Sequence, residues 1–537
     1  MRSMKIKKAA AVFAFAAAVT AVCLFAPQTA LASGSSRVIG DYHKTALPNA
    51  NNIVTESGSK SAKSDIPVKY DLRTAKSWTP NLKDQSASGM CWAFSSATAI
   101  ESNLSMNGYG TYTVSPLQLG YYSAADPSTS ARPAGTEKDT NRISNIINDD
   151  YNNFAQTGGD YTTAAMTLAK GYGAINESEL PYSDSSMNAI IDRQVAGKTG
   201  LDDKYASSKN TVSMTDSYFV PQNNISAMKN SIIKYGAGEI GIYVIYNEQT
   251  NSYDPYWNTT NKCLYVSKSA YNKAVDNGTG GGHAVAVIGW NDNFSKDNFS
   301  ASGGPEPSKD GAWLCQNSWS TQGSDDVQDS SQCFWVSYYD YDVYYNNEIA
   351  TFYEAVPVSN SYSKTYQYDG TYSLDGFASA KKKQAIKSAN VFKATSASTL
   401  KAVGYYNLSG SMKYSIQIYK NPKKSSDPTS GKAMLSKAQT GSLTYDGYST
   451  IELKNDVSLS KGTKFAVVVT ATSKKGKSYV ATDTSSTYEL SEYSSLLYRS
   501  SSSKGQSYYK KFGKKWTDYG KKGHNNVRIK AYVDEAI

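Results

Sequence analysis

The pattern of secondary-structure signals changes once along this chain, near residue 355. Before that point, segments with helical periodicity mix with apolar strand-like runs. After it, short alternating runs are separated by turn-rich Ser, Gly, Lys and Asp segments. The chain has 537 residues, too many for one ordinary domain. The pattern predicts an α+β domain over residues 66–355, followed by an all-β sandwich over residues 356–537.

The N-terminus has the features of a targeting segment. The basic stretch "MRSMKIKK" precedes the apolar run "AAAVFAFAAAVTAVCLFA", and Ala30-Leu31-Ala32 fits a cleavage site. We therefore predict a signal peptide over residues 1–32, with a signal anchor as the alternative. Residues 33–65 are polar and lack periodicity, which indicates a short pro-segment or linker. The mature protein is expected to be secreted, extracellular or associated with the cell surface.

Charge and cysteine content exclude several classes of protein. The net charge is +10, and no nucleic-acid-binding module is evident, so we expect no nucleic-acid partner. Without the signal peptide the cysteines are Cys91, Cys263, Cys315 and Cys333, too few for a disulfide scaffold. Cys315 and Cys333 flank a predicted hairpin, so they are either a disulfide pair or free thiols. No Cys/His spacing resembles a zinc site, and no metal ligand is predicted for the reaction.

Individual elements can be predicted within residues 66–355. Helices are indicated by "CWAFSSATAIESNL", with apolar residues on one face, and by "YTTAAMTLAKGYG" and "ISAMKNSIIKYG". Strands are indicated by "GEIGIYVIY", "HAVAVIGW", "AWLCQNSW" and "CFWVSYYD". Residues 122–153 are polar, and we predict an inserted loop there.

One cysteine has the setting of a nucleophile. In "DQSASGMCWAFSSATAIES", Cys91 stands between a Gly/Ser-rich loop and the start of a predicted helix. The unpaired amides of a helix N-terminus stabilise a thiolate, the form of cysteine that attacks a carbonyl. The same amides can bind an oxyanion, and the side-chain amide of Gln85 could add a second donor.

A nucleophilic cysteine also needs an imidazole with a defined orientation. Of the three histidines, His43 lies in the predicted pro-segment and His524 in a Lys-rich terminal segment. His283 opens the strand "HAVAVIGW" after three glycines, and is the better candidate. Asn317, at the end of "AWLCQN", could hold the imidazole by one nitrogen, and Trp319 could shield that hydrogen bond from water.

These residues resemble the papain-like cysteine peptidases. The family signature, a Gln followed after a gap by Cys-Trp-Ala-Phe, is matched by Gln85 and "CWAF", and "HAV" and "NSW" match its histidine and asparagine segments. "IPVKYDLR" resembles the family's mature N-terminus, and "VSPLQL" and "LPY" are also similar to family motifs. The resemblance covers about residues 66–350 and implies a two-lobed fold, with one helical and one β lobe, and the catalytic residues Cys91, His283, Asn317 and Gln85.

The resemblance also implies a substrate-binding strip. Gly158 and Gly159 in "AQTGGDY" match the family's Gly-Gly pair, whose backbone would pair with an extended peptide. Gly282 and Trp319, on either side of the candidate catalytic residues, are further substrate-binding candidates. The chain departs from the family at Ser88, where a disulfide cysteine is usual, and correspondingly at Gln156 or Thr157. It also departs at Met90, where a small residue is usual.

The C-terminal half resembles the lectin-like sandwich of surface cysteine proteases from clostridia and their relatives. "LKAVGYYNLSGSMKYSIQIYKN" carries most of this resemblance. Asp369 and Asp375 are candidate calcium ligands, the alternative being ordinary turn residues. The stretch "KKFGKKWTDYGKKGH" would either touch anionic wall polymers or form a solvated hairpin. Possible partners of this half are thus cell-wall glycans or surface proteins.

The sequence as a whole predicts a monomeric, secreted cysteine endopeptidase that acts on protein or peptide substrates without a cofactor. Two alternatives remain open. One is a peptidoglycan amidase with a similar Cys–His pair, and the other is a non-catalytic surface adhesin. The natural substrate, the route of pro-segment removal and the means of retention at the wall do not follow from the sequence, although we expect cleavage close to Ile66.

Overall fold

The computed structural model describes residues 66–535, except for residues 87, 147–151, 208, 246–254, 301–303, 320–326, 347, 373, 491–493 and 523–524. The predicted signal peptide and pro-segment, together with His43 and His524, lie outside the described residues. Within the described part, none of the helices combines the length and the apolar composition that crossing a bilayer requires.

The α-helices of the described residues all lie before residue 280. They are α1 (Leu72–Ala75), α2 (Cys91–Met106), α3 (Pro116–Ala124), α4 (Thr163–Ala169), α5 (Asp184–Val195), α6 (Ile225–Tyr235) and α7 (Lys268–Asn277). The central helix α2 confirms the helix predicted from "CWAFSSATAIESNL". The apolar residues that share one face of it are buried, and so is every other residue from Cys91 to Leu104. Helices α3 and α4 contact α2 in addition to a sheet, so its polar residues are enclosed as well.

The N-terminal half has ten strands in its described residues, and all except β2 (Thr140–Ile143) belong to one mainly antiparallel sheet with a short parallel pairing. They are β1 (Lys69–Asp71), β2 (Thr140–Ile143), β3 (Val212–Pro221), β4 (Gly238–Ile245), β5 (Trp257–Asn258), β6 (Cys263–Leu264), β7 (Gly280–Asn291), β8 (Ala312–Gln316), β9 (Cys333–Ser337) and β10 (Ile349–Pro357). Their order across the sheet is β3-β10-β4-β7-β8-β9-β6-β5, and β1 pairs with β7. Helix α2 packs against β7, β10 and β4 of this sheet and also contacts α3 and α4.

The C-terminal half contains strands and no α-helix within its described residues. Its strands are β11 (Lys364–Tyr366), β12 (Leu374–Lys382), β13 (Ile386–Lys393), β14 (Ser398–Asn407), β15 (Met412–Lys420), β16 (Lys432–Ala433), β17 (Gln439–Leu443), β18 (Gly447–Leu459), β19 (Lys464–Ser473), β20 (Lys477–Asp483), β21 (Ser486–Glu489), β22 (Ser495–Arg499), β23 (Ser507–Lys511), β24 (Thr517–Asp518) and β25 (Ile529–Glu535). Strands β11, β25, β14 and β18 form one layer, and β15, β19, β13 and β23 form the other. Apolar residues of both layers share one buried cluster, which confirms the predicted sandwich.

The two halves are joined by shared sheets. Strand β18 pairs with β3 through Ser449 and Asp216, so the sheet of the N-terminal half continues into one layer of the sandwich. Strand β2 pairs with β22, from Thr140 opposite Arg499 to Ile143 opposite Leu496. The prediction of a loop over residues 122–153 was therefore wrong at β2, because this polar strand finds its pairing partner more than 350 residues away.

Candidate active site

Cys91 is the first residue of α2, and its side chain is fully buried. The backbone amide of Ala284, on β7, donates a hydrogen bond to its sulfur at 3.3 Å. Nucleophilic chemistry at this position requires the thiolate, and therefore the reduced side chain.

His283 lies on β7 directly before Ala284, so the strand that carries the imidazole also contacts the Cys91 sulfur. Its register partner is Ile242 on β4, and the ring is fully buried. Nε2 lies 2.7 Å from Oδ1 of Asn317. Nδ1 is buried and makes no hydrogen bond to any described residue. Burial lowers the pKa of His283 to about 4, although the hydrogen bond with Asn317 opposes this shift.

Asn317 and Trp319 follow strand β8 and cover the imidazole. Asn317 Oδ1 accepts the backbone amide of Ser318 at 2.9 Å as well as contacting His283, which fixes its orientation. The rings of His283 and Trp319 are stacked, with centroids 4.5 Å apart and planes inclined by 21°. The indole thus excludes water from one face of the imidazole, where a hydrogen bond is worth more than in solvent.

Gln85 connects the loop before Cys91 to the loop that carries Asn317. Its Nε2 donates to the carbonyl of Ser88 at 2.8 Å, and its Oε1 accepts from Ser318 Oγ at 2.7 Å. Its backbone amide donates to the carbonyl of Ser318 at 2.8 Å, and its own carbonyl accepts from the Tyr182 hydroxyl at 2.6 Å. The structure therefore brings Cys91, His283, Asn317 and Gln85 to one site.

Gln332 also belongs to this site, although no pattern in the sequence around it indicates this. Its buried side-chain amide accepts from Lys83 N at 3.2 Å and donates to Lys83 O at 2.8 Å and to Trp319 O at 2.7 Å. Its carbonyl accepts from Asn317 N at 2.8 Å. One side chain thus joins the segment leading to Gln85 to the segment after β8. It has a φ of 59°, which is uncommon for a residue other than glycine.

The predicted substrate-binding glycines lie around the same centre. The loop before Gly158 and Gly159 is tied to the loop before Cys91, because Gly89 N donates to Ala155 O at 2.8 Å. A Cβ at Gly159 would lie 2.5 Å from the ring of Trp92, so the close approach requires glycine. Gly282 is buried, opposite Tyr243 of β4. Their role in substrate binding stays a prediction.

Two departures from the family pattern are accommodated by packing. The Ser88 hydroxyl donates to the carbonyl of Gln85 at 2.9 Å, so the loop is closed by a hydrogen bond where the family has a cysteine. Met90 is buried against α3, and a Cβ at Gly120 would lie 2.2 Å from its sulfur. Gly120 therefore supplies the space that the larger residue before Cys91 needs.

The disulfide considered for Cys315 and Cys333 is absent, since both are free thiols. The register of β8 and β9 explains why. Cys315 lies opposite Phe334, and Cys333 lies opposite Gln316. The two cysteines are therefore offset by one residue, and their side chains point to opposite faces of the sheet.

The candidate calcium ligands Asp369 and Asp375 have protein partners. The Asp369 carboxylate lies 2.9 Å from Lys530 Nζ and 3.4 Å from Arg528 Nη1, and all three side chains are buried. Asp375 Oδ1 accepts the backbone amide of Gly376. Across the described ranges, no group of three or more His, Cys, Asp or Glu side chains is arranged to hold a metal. Calcium binding at Asp369 and Asp375 stays a prediction.

Two segments of the chain match family models. Residues 66–119 match the papain family cysteine protease model, and residues 365–533 match the lectin like domain model. No curated protein sequence matches the chain. The first segment includes Cys91 and Gln85, and the second covers almost the whole sandwich.

Among solved structures, the chain is similar to a clostridial cysteine protease, Cwp84. The structure of Cwp84 after propeptide cleavage has a TM-score of 0.64 and 23% identity, covering 87% of this chain and 99% of that one. The structure of its cysteine protease and lectin-like domains, from Clostridium difficile, has a TM-score of 0.62 and 23% identity, covering 88% and 89%. At this identity the likeness establishes the shared two-part fold.

Proposed function

We propose that the chain, whose fold combines a papain-like part with a C-terminal lectin-like part, is an exported endopeptidase whose nucleophile is Cys91. One observation carries the assignment of residues. His283 is held by Asn317 at 2.7 Å and stacked on Trp319, while the next residue on the same strand contacts the Cys91 sulfur at 3.3 Å.

The reaction proceeds through an acyl-enzyme. The Cys91 thiolate attacks the scissile carbonyl carbon, and the negative charge moves to the carbonyl oxygen, which Gln85 Nε2 and the Cys91 amide stabilise. The tetrahedral intermediate then expels the amine, which takes its proton from the His283 imidazolium, and a thioester remains. His283 next accepts a proton from water, whose oxygen attacks the thioester and releases the carboxylic acid. Asn317 keeps the imidazole oriented throughout, and no cofactor enters any step.

The setting of this activity is extracellular. The N-terminal targeting pattern supports export, and the similar protease Cwp84 is described as a surface layer associated protein. We propose that the enzyme acts as a monomer on surface or extracellular proteins. The lectin-like domain would hold the enzyme near those substrates. The sheets that the two domains share would fix the position of the active site relative to the lectin-like domain.

Labelling by an epoxide that alkylates papain-like thiols tests the proposal. Under reducing conditions we expect one adduct, located on Cys91 by peptide mass spectrometry, and parallel loss of casein hydrolysis. Cys91→Ala should give neither adduct nor hydrolysis, whereas Cys263→Ala, at another buried thiol, should retain both.

Three outcomes would contradict the proposal. An adduct on another cysteine would show that Cys91 is not the nucleophile. Release of amino sugars and peptides from isolated cell wall without casein cleavage would indicate a peptidoglycan amidase. A reduced, folded protein that takes up no label and still binds cells would indicate an adhesin.

A further inference from the structure

The charge of the chain is concentrated in the lectin-like domain. Residues 365–533 contain 28 Lys and Arg but 10 Asp and Glu, a net charge of +18, whereas the whole chain carries +10. The remaining residues are therefore net acidic, at −8. Such an asymmetry between two parts of one chain is typical of a protein that holds a polyanion with one part only.

Lysines lie directly opposite one another on the layer of the sandwich that β15, β19, β13 and β23 form, which we call the outer layer. Lys387 of β13 pairs with Lys510 of β23, and Lys393 of β13 pairs with Lys464 of β19. Directly opposed residues share a face of the sheet with their Cβ atoms about 5 Å apart, and like charges there are destabilising. Two further opposed pairs lie nearby, Lys420 with Lys432 and Lys382 with Lys477.

Both pairs on the outer layer point away from the sandwich core. Strand β13 alternates between buried residues such as Ile386 and Phe392 and the exposed Lys387 and Lys393. Lys413 of β15 lies on the same face, since it pairs with Thr472, two positions along β19 from Thr470, the partner of Lys387. We call this surface the lysine face; its lysines are Lys387, Lys393, Lys413, Lys464 and Lys510.

No acidic side chain neutralises the lysine face among the described residues. The ion pairs described within residues 365–533 are Lys401 with Asp456, and Arg528 and Lys530 with Asp369. Asp518, opposite Tyr508 on this face, accepts the backbone amides of Gly505 and Lys521. Asp427, whose charge acts on Tyr419, accepts Thr429 N and Oγ1, so among the described residues no ion pair joins an acidic side chain to a lysine of this face.

The spacing of the lysines fits an extended ligand. Lys387 and Lys393 are six residues apart on one strand, which puts the two opposed pairs roughly 20 Å apart. The surface between them is apolar and aromatic, with Val391, Tyr419 and Trp516 packed around a small buried cluster. Separate small anions would occupy each pair independently, whereas one chain with regularly spaced anionic groups would contact both.

We propose that the lysine face binds an anionic polymer of sugars or sugar alcohols joined by phosphodiesters, of which poly(glycerol phosphate) is the simplest. The match of residues 365–533 to a lectin-like model favours a glycan over a nucleic acid. Phosphodiester groups along the chain would neutralise the opposed lysines and relieve their repulsion. The proposal extends the localising role suggested above for this domain, and binding can be measured without any peptidase step.

Retention of the full-length protein on immobilised poly(glycerol phosphate) tests this proposal. We expect binding at low ionic strength that is lost at about 0.5 M salt, where charges are screened within a few ångströms. The quadruple variant Lys387→Gln, Lys393→Gln, Lys464→Gln and Lys510→Gln should bind at least about tenfold more weakly. A matched variant of the peptidase domain, with Lys76, Lys138, Lys198 and Lys273 each changed to Gln, has the same net charge and should bind as the wild type does.

Thermal stability separates a binding role from a structural one. Removing the opposed charges should leave the midpoint of unfolding unchanged or raise it, while binding falls. Equal loss of binding in both quadruple variants would show that only the total charge matters and would overturn the proposal. So would failure of the wild type to bind the polymer, or equal retention on double-stranded DNA. Casein hydrolysis should be unchanged in both variants, so failure here is distinguishable from failure of the proposed peptidase.

Discussion

At the scale of single residues, the proposed chemistry depends on whether Cys91 and His283 are both neutral or are a thiolate and an imidazolium. The imidazole is fully buried, and burial disfavours its charged form, which lowers the pKa of His283 to about 4. A thiolate beside it would favour the imidazolium and raise that pKa. We therefore expect the His283 imidazolium to form only when Cys91 is a thiolate.

We expect the pKa of His283 to be near 4 in Cys91→Ser and above 7 in the reduced wild type. With serine no anion forms next to the ring, so the imidazole should be neutral at pH 5 to 8. The measurement is an NMR titration of the ring protons in a His43→Gln, His524→Gln background, which leaves one imidazole. The same pKa in both proteins would show that Cys91 and His283 do not form an ion pair.

The sequence contained enough information to find the candidate catalytic residues, because each has a local signal. Cys91 precedes a helical pattern, and His283 and Asn317 begin or end strand patterns. Gln332 has no such signal. Its importance comes from contacts with Lys83 and Trp319, which lie far away in the chain and are brought together only by the sheet.

At the scale of elements, the site is an assembly of two loops between α2 and the sheet. One loop contains Lys83 and Gln85, and the other contains Asn317 and Trp319. Gln332 forms hydrogen bonds with both loops, and so couples the segment of the proposed oxyanion donor Gln85 to that of the imidazole's partner Asn317. Small displacements at such a site are costly, since an error of about 1 Å in placement can reduce the rate about 100-fold.

Gln332→Gly should therefore lower kcat by about 10-fold to 100-fold, with a smaller effect on KM. Glycine tolerates the φ of 59°, so the variant removes the side-chain hydrogen bonds without adding backbone strain. Steady-state kinetics on a peptide substrate measures the effect.

Lys383→Gly is the matched control, at an exposed residue of the lectin-like domain with a φ of 56°. It should leave both kinetic constants unchanged. A Gln332→Gly enzyme with unaltered kcat would show that the two loops hold their geometry without this residue.

The helices and strands that were predicted have strong hydrophobic periodicity. The helices that were missed are marked mainly by capping residues at their ends. Helix α5 has Ser183 as part of a capping box, and α7 begins after Ser267 and ends before Gly278. These capping residues were visible in the sequence. Strand β2 could not have been found in this way, because its partner β22 belongs to the other half of the chain.

At the scale of the whole molecule, the two domains share structure rather than a simple contact. Tyr372, Tyr406 and Tyr448 of the lectin-like domain belong to the same buried cluster as residues around α2 and α3. The Tyr372 hydroxyl lies 2.7 Å from Thr163 Oγ1, at the start of α4 and four residues after Gly159. The lectin-like domain thus supports the segment next to the predicted substrate-binding glycines, and we expect the domains to unfold together.

Gly447→Ala should therefore destabilise both domains in a single transition. Gly447 has a φ of 125°, and a Cβ there would lie 2.1 Å from the carbonyl oxygen of Ser217 on β3, at the junction of the sheets. Strain and displacement together should cost at least about 2 kcal/mol. Hydrogen exchange should become faster in β7 as well as in β14, because opening the junction exposes the core that both domains share.

Gly462→Ala is the matched control, since its φ of 86° carries similar strain but a Cβ there would meet nothing within 4 Å. It should lose less stability than Gly447→Ala and should also unfold in one transition, whereas two separate transitions in Gly447→Ala would show that the domains unfold independently.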